Sequence, residues 1–272
     1  MPKLPKVSLA SSGEIVEGSS ITLTCTSDAN PAATYTWYKK NIPSPLSKDS
    51  QLVLRSTQSS DSGEYYCTAE NVLKTTTSKV IFIYVKYAPR IPIISVHSSG
   101  GLVEGSSVTL NCSTDANPAA NYTWYKDHEV DPRSNNSQLV FKSVESSDSG
   151  KYFCTAENVL KKMASKEIVV DIEYAPRLPL VSLTPSGEIM EGISLTLTCS
   201  SDANPAANYS WFKENDESAQ YSRQNFTIPN IGPHHGGLYY CEAHNRRGSH
   251  KSAIHFTVVA SKSDKASCSH ML

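Results

Sequence analysis

Seven of the 272 residues are cysteines, and six of the seven stand in register. Cys25, Cys112 and Cys199 follow one another at intervals of 87, as do Cys67, Cys154 and Cys241, so each member of the first set has a partner 42 residues on. Thiols placed this way could bind a metal or oxidise in pairs. Metal ligation needs close spacings such as C-x-x-C, and the chain has none. The pattern therefore predicts three structural disulfides, Cys25 with Cys67, Cys112 with Cys154 and Cys199 with Cys241, in a protein of an oxidising compartment. Each closes a loop that, on the chain-entropy model, stabilises by about 4 kcal/mol. Cys268 is left over. It is the fifth residue from the end, one too far in for prenylation, which leaves an intermolecular bridge or an incidental tail sequence.

Other reactive residue types form no recognisable catalytic group. No G-x-S-x-G, H-E-x-x-H or glycine-rich phosphate loop occurs, so no catalytic, cofactor-binding or metal-binding residue is assigned and no enzyme is expected. Five of the eight histidines, His234, His235, His244, His250 and His255, lie between residues 174 and 260. His234 and His235 could begin a metal site, but no carboxylate or cysteine set completes a shell, and neighbours on a strand would point oppositely. Exposed histidines are the expectation. Lys and Arg total 25 against 26 Asp and Glu, a net charge of −1, which offers neither nucleic acid nor an anionic membrane a footprint. No apolar run is long enough to span a bilayer, and the first residues have no signal-peptide core.

The elements that hold the cysteines repeat with the same period. Trp37, Trp124 and Trp211 each follow a first cysteine by twelve residues. Ile21, Leu23 and Cys25 alternate with polar residues, as do Val108, Leu110, Cys112 and Leu195, Leu197, Cys199; the second cysteines sit in a like pattern with Tyr65, Tyr152 and Tyr239 two residues earlier. A period of two predicts half-buried strands with the cysteines facing inward from two sheets. Three units are expected, at residues 1–86, 87–173 and 174–260, with a polar, disordered tail at 261–272. The junctions read YAPRIP (Tyr87 to Pro92) and YAPRLP (Tyr174 to Pro179), and the same register places the start of the chain inside such a linker, as if cut from a longer protein.

The segments DSGEYYCTAEN, DSGKYFCTAEN and GGLYYCEAHN resemble the strand-F region of immunoglobulin domains. On that resemblance Trp37, Trp124 and Trp211 pack on the bridges, and Tyr65, Tyr152 and Tyr239 form the tyrosine corner. It implies an all-β chain of three tandem Greek-key β-sandwiches in an elongated array, of the compact I-set or constant-2-like type. The YAPR junction, the D-A-N-P loop and the W-Y-K strand look most like the stalk domains of Siglec-type inhibitory receptors of B cells, in their teleost-like form. Carcinoembryonic-antigen-like and Fc-receptor-like arrays are the alternatives, with a secreted decoy as a third. The resemblance implies an extracellular segment of a single-pass plasma-membrane receptor, acting as spacer and adhesion module toward a cell-surface or extracellular protein or a second copy of itself. Such receptors bind sialylated glycans through a variable domain, and no counterpart of its strand-F arginine occurs here. Sialic-acid binding by this segment is therefore not predicted.

Differences between units carry the remaining expectations. Arg55 and Asp61 become Lys142 and Asp148, then Pro229 and His235, which reads as an end-closing ion pair lost as a pair in the third unit. Arg246 and Arg247 sit at the tip of a tighter turn that Gly248 permits, and are expected as exposed loop charge. Asn121, Asn135, Asn208 and Asn225 head N-x-S/T sequons, with Asn111 a weaker fifth, so glycan is expected on the second and third units and not on the first. The segment SDANPAATYTWYKK (Ser27 to Lys40), which recurs twice, is predicted to turn through a type I bend at Asn30-Pro31 and to meet the linker before it.

Overall fold

The computed structural model describes residues 1–11, 13–216 and 218–260. Cys268 and the rest of the expected tail lie outside the described residues. Strand after strand forms where polar and apolar residues alternate. The first repeat gives β1 (Lys6–Ala10), β2 (Ile21–Thr26), β3 (Thr34–Lys39), β4 (Gln51–Leu54), β5 (Gly63–Asn71), β6 (Lys74–Thr77) and β7 (Ile81–Ile83). The second gives β8 (Ile93–Ser98), β9 (Val108–Ser113), β10 (Asn121–Lys126), β11 (Gln138–Phe141), β12 (Gly150–Glu157), β13 (Lys162–Ala164) and β14 (Ile168–Val170). The third gives β15 (Leu180–Thr184), β16 (Ile189–Met190), β17 (Leu195–Ser200), β18 (Asn208–Lys213), β19 (Asn225–Ile228), β20 (Gly237–Asn245), β21 (Gly248–Phe256) and β22 (Val258–Val259). The only helical segments among the described residues are single 3-10 turns, at Ser59–Asp61, Ser146–Asp148 and Pro233–His235.

Two compact units emerge, and their boundary runs through the second repeat. One comprises Met1–Val96, Leu110–Leu139 and Lys151–Ile168; the other comprises His97–Thr109, Val140–Gly150 and the chain from Val169. In the first unit β1, β2 and β4 form one antiparallel sheet, while β3, β5 and β6 form another with β7 also on β5. Cys25 and Cys67 are bonded at 2.03 Å between these sheets. Ile21 and Leu23 on β2, Trp37 on β3, and Tyr65 on β5 fill the space around the bridge with Leu52, Ile83 and Val85. The same unit holds Cys112 bonded to Cys154 at 2.02 Å, with Trp124 on β10 opposite Cys154 on β12.

In the second unit β15, β17 and β19 face β18, β20 and β21, and β16 runs parallel to β22. Cys199 and Cys241 are bonded, with Cα atoms 6.4 Å apart. Leu195, Leu197, Trp211, Tyr239 and Phe256 are buried around them. The last hairpin differs from the first. β20 and β21 pair without interruption from Gly237 with Phe256 to Asn245 with Gly248, whereas β6 and β7 are separated at Ser78. There Ser78 Oγ takes the Cys67 N–H at 3.0 Å, and Ser165 Oγ does so for Cys154 at 3.0 Å. A side chain replaces a strand carbonyl, which keeps the buried amide satisfied.

The Asn30–Pro31, Asn117–Pro118 and Asn204–Pro205 bonds are all cis. One local expectation is corrected. His234 and His235 lie on a 3-10 turn, not a strand, with rings 3.7 Å apart. Among the described residues no group of three or more His, Cys, Asp or Glu side chains could hold a metal ion.

Candidate functional site

The thrice-written loop meets the linker through a set of hydrogen bonds that recurs almost atom for atom. Tyr87 N–H donates to Asn117 O at 2.7 Å and Asn117 N–H returns to Tyr87 O at 3.2 Å, while Arg90 N–H donates to Asp115 O at 2.9 Å. One repeat later Tyr174 and Asn204 exchange bonds of 2.7 and 3.4 Å, and Arg177 N–H reaches Asp202 O at 2.8 Å. This is a short piece of antiparallel ladder between linker and loop.

Side chains complete it. Tyr87 Oη donates to Asp115 Oδ1 at 2.7 Å and Tyr174 Oη to Asp202 Oδ1 at 2.9 Å. The carboxylate holds the Tyr87 pKa above its usual value, with burial adding to it; at Tyr174 burial leads and Asp202 adds. Asn117 Nδ2 donates to Val85 O at 2.7 Å and Asn204 Nδ2 to Ile172 O at 2.8 Å. Arg90 lies over the Tyr87 ring and pairs with Glu17 at 2.7 Å; Arg177 lies over the Tyr174 ring and pairs with Glu104 at 2.7 Å. Guanidinium over phenol ring adds a cation–π contact to the ion pair.

An asparagine that ends β5 (Asn71) and β20 (Asn245) and directly follows β12 (Asn158) ties loop and linker together. Asn158 Nδ2 donates to Tyr87 O at 2.9 Å and Pro118 O at 3.0 Å; Asn245 Nδ2 does the same to Tyr174 O at 2.9 Å and Pro205 O at 2.8 Å. Its Oδ1 accepts the amide two residues on, from Leu160 at 3.0 Å and from Arg247 at 2.8 Å, in an Asx-type turn. In the first repeat Asn71 Nδ2 reaches Pro31 O at 2.8 Å, and Lys3 supplies the linker-side contacts through an ion pair with Asp28 at 2.7 Å. Asn30 and Pro31 are exposed, whereas Asn117, Pro118, Asn204 and Pro205 are half-buried. The expectation that the first copy of the loop is open and the later two are packed on a linker matches these positions.

Sequence reasoning overlooked two pairs and a single residue of this cluster: Asn158 with Asn245, Glu17 with Glu104, and Glu173. The first two were visible in principle, because each pair is separated by 87 residues like the cysteines. Glu173 was not, since Lys86 stands in its place one repeat earlier. Its carboxylate receives Arg246 Nε at 2.9 Å and Arg247 Nε at 2.7 Å. The arginines are exposed, as expected, and are also clamped on the end of the preceding repeat, where they hold the Glu173 carboxyl below its usual pKa. The turn suits the clamp. Gly248 lies at φ +153° with its Cα so near the linker that an added Cβ would stand 3.1 Å from Ala175 Cβ.

The expected Arg55–Asp61 clasp is also corrected. Arg55 is exposed, and the Asp61 carboxylate instead accepts the Gln58 N–H at 2.8 Å, capping the 3-10 turn. Asp148 accepts Glu145 N–H at 2.9 Å, and in the third repeat His235 Nδ1 accepts Gly232 N–H at 2.9 Å. An imidazole nitrogen has replaced a carboxylate oxygen, so the third turn keeps its cap. The lysines of the W-Y-K strand close the same end: Lys213 Nζ donates to His234 O at 2.8 Å and Lys39 Nζ to Ser60 O, each over the tyrosine ring below. Tyr65 Oη donates to Asp61 O at 2.8 Å and Tyr239 Oη to His235 O at 3.0 Å. Burial, then the Asp61 charge, pushes the Tyr65 phenol up to about 12.

The sequon asparagines Asn121, Asn135, Asn208 and Asn225 are all exposed, and Asn111 is half-buried on β9. No helix of the described residues is long and apolar enough to cross a membrane.

Models of the immunoglobulin domain match residues 5–71, 91–170 and 178–259. B-cell receptor CD22 of Mus musculus is 31% identical over 257 residues, 92% of this chain and 29% of that protein. Neural cell adhesion molecule 1 of Mus musculus is 28% identical over 280 residues, 89% of this chain and 24% of that protein. The chain thus spans less than a third of either relative. Among solved structures, the three-domain ectodomain of mouse nectin-like molecule 4 aligns with a TM-score of 0.58 at 21% identity, covering 92% of this chain and 98% of that one. With the bridged cysteines, the buried tryptophans and these matches together, the chain belongs to the immunoglobulin domain family, as three tandem immunoglobulin-like sandwiches.

Proposed function

We propose that this chain is the extracellular segment of an immune-type cell-surface receptor, the stalk of a Siglec-like inhibitory receptor of B cells, serving as spacer and protein-interaction module. The observation that carries the reading is the likeness to B-cell receptor CD22 along 92% of this chain. The work of such a segment is holding and binding, not catalysis. In the linkers, paired backbone bonds, an arginine on a tyrosine ring and an asparagine bridge leave little of the connecting chain unbonded, as a spacer requires. We place the domains at residues 1–86, 87–173 and 174–260, and the full-length protein in the plasma membrane with a single span.

The alternative is an adhesion protein that pairs with a second copy of itself, which the likeness to neural cell adhesion molecule 1 favours. One experiment separates the two. Beads coated with residues 1–260 and labelled with two colours are mixed with one another and, separately, with B cells and other leukocytes. Capture by cells with no bead clustering supports the receptor segment; clustering of bare beads supports the homotypic module. Binding to neither, at bead densities where a known adhesion pair clusters, overturns the interaction role and leaves the spacer.

A further inference from the structure

Two sets of asparagines differ in what their amide nitrogens do. Those of the linkers use their amide nitrogens: Asn71, Asn117, Asn158, Asn204 and Asn245 each donate from Nδ2 to a carbonyl. Those of the four sequons do not. Asn121, Asn135, Asn208 and Asn225 are exposed, and among the described residues none makes a side-chain hydrogen bond. A free, outward Nδ2 is the group that an N-linked sugar replaces a proton on, and a bonded one could not accept sugar without losing its partner.

Placement on the strands agrees. Asn121 and Asn208 are the first residues of β10 and β18, three before Trp124 and Trp211, so they point away from the core while the tryptophans point into it. They are one site used twice, 87 residues apart, and Thr34 occupies it in the first repeat. Asn225 begins β19, where Phe226 and Ile228 face inward and Asn225 and Thr227 outward. Asn135 lies in the connection between β10 and β11. Gln51 and Lys48 hold the places of Asn225 and Asn135 in the first repeat.

We propose that Asn121, Asn135, Asn208 and Asn225 each carry an N-linked oligosaccharide and that the first repeat carries none, so that sugar covers strand faces of the second and third repeats and leaves the equivalent face of the first repeat bare. The donor is an oligosaccharide on a lipid diphosphate. Nδ2 forms a bond to the anomeric carbon, the bond from that carbon to the diphosphate oxygen breaks, the lipid diphosphate leaves, and the proton from Nδ2 passes to solvent. Transfer occurs on the extended chain, before Thr227 Oγ1 meets Thr196 Oγ1 at 2.9 Å in the folded sheet. This inference rests on the chain's passage through the secretory compartment, as the proposed function requires.

The test is to secrete the chain from mammalian cells behind a cleavable leader and treat it with a peptide-N-glycosidase. Four mobility steps should collapse, one should vanish with each of Asn121→Gln, Asn135→Gln, Asn208→Gln and Asn225→Gln, and Thr123→Ala should match Asn121→Gln. Thr34→Asn writes N-Y-T into the first repeat and should add a fifth step. A secreted, oxidised chain of unglycosylated mass overturns the sugar proposal while leaving the extracellular reading intact. Failure of Thr34→Asn to gain sugar overturns the claim that the head of this strand is an open position, and glycan mapped to Asn30, Asn41 or Asn71 overturns the bare first repeat.

Discussion

Trp37, Trp124 and Trp211 look interchangeable in sequence and are not so in their hydrogen bonding. The Trp211 indole donates to Arg223 O at 3.2 Å, whereas among the described residues the buried indole nitrogens of Trp37 and Trp124 have no acceptor. A buried donor left unmade costs about 1–3 kcal/mol, so removing it offsets part of the volume lost. Replacement by phenylalanine should therefore destabilise more at Trp211 than at Trp37 or Trp124, by about 1 kcal/mol in urea unfolding of each variant; equal losses would contradict it. His235 supplies the second residue-scale prediction. Burial, then the charges of His234 and Lys213, lower its pKa from the ordinary value of about 6.5. The unfolded chain keeps the ordinary value and so binds the proton more readily. Stability from this cap is therefore present above that value and is lost as pH falls through the lowered folded one. Hydrogen exchange at Gly232 N should speed up with acid relative to the equivalent amides of Gln58 and Glu145, and His235→Asp should abolish the difference. Three amides with identical acid dependence would refute the imidazole cap.

At the scale of elements, the linkers are where equivalent segments meet unequal surroundings. Asn117 bonds Val85 O, two residues past β7, and exchanges backbone bonds with Tyr87, while Asn30 has no side-chain hydrogen bond among the described residues. Asn117→Ala should cost roughly 1–2 kcal/mol. Asn30→Ala should stay within about 0.5 kcal/mol of the parent. Thermal unfolding of the two variants side by side decides it, and an equal cost would mean that the loop itself, not its linker contact, uses the amide.

On the scale of the whole chain, three closed loops of equal length make oxidation a condition of folding. Replacing Cys25 and Cys67 together with alanine should destabilise the first sandwich by about 4 kcal/mol on the loop-entropy model, and reduction should do so in all three repeats. Persistence of the native circular dichroism under strong reductant at the same urea midpoint would contradict it. What the sequence by itself determined is considerable: the period of 87, the cysteine pairing, the inward tryptophans and tyrosines, the all-β class and the family all rest on residues that every repeat needs in order to fold. Repetition made them legible because three copies remove chance. Side-chain partnership remained hidden. Asp61 turned from a guessed ion pair to a turn cap, His235 from a free imidazole to the same cap, and Arg246 and Arg247 from loop charge to a clamp on Glu173. Spacing along a strand fixes which face a residue shows, since the period of two is a property of the backbone. Asp61 and His235 cap amides three residues back, a choice set by the conformation of the 3-10 turn; the partner of Arg246 and Arg247 lies some seventy residues distant and is brought within 3 Å, and only the packed tertiary structure decides that.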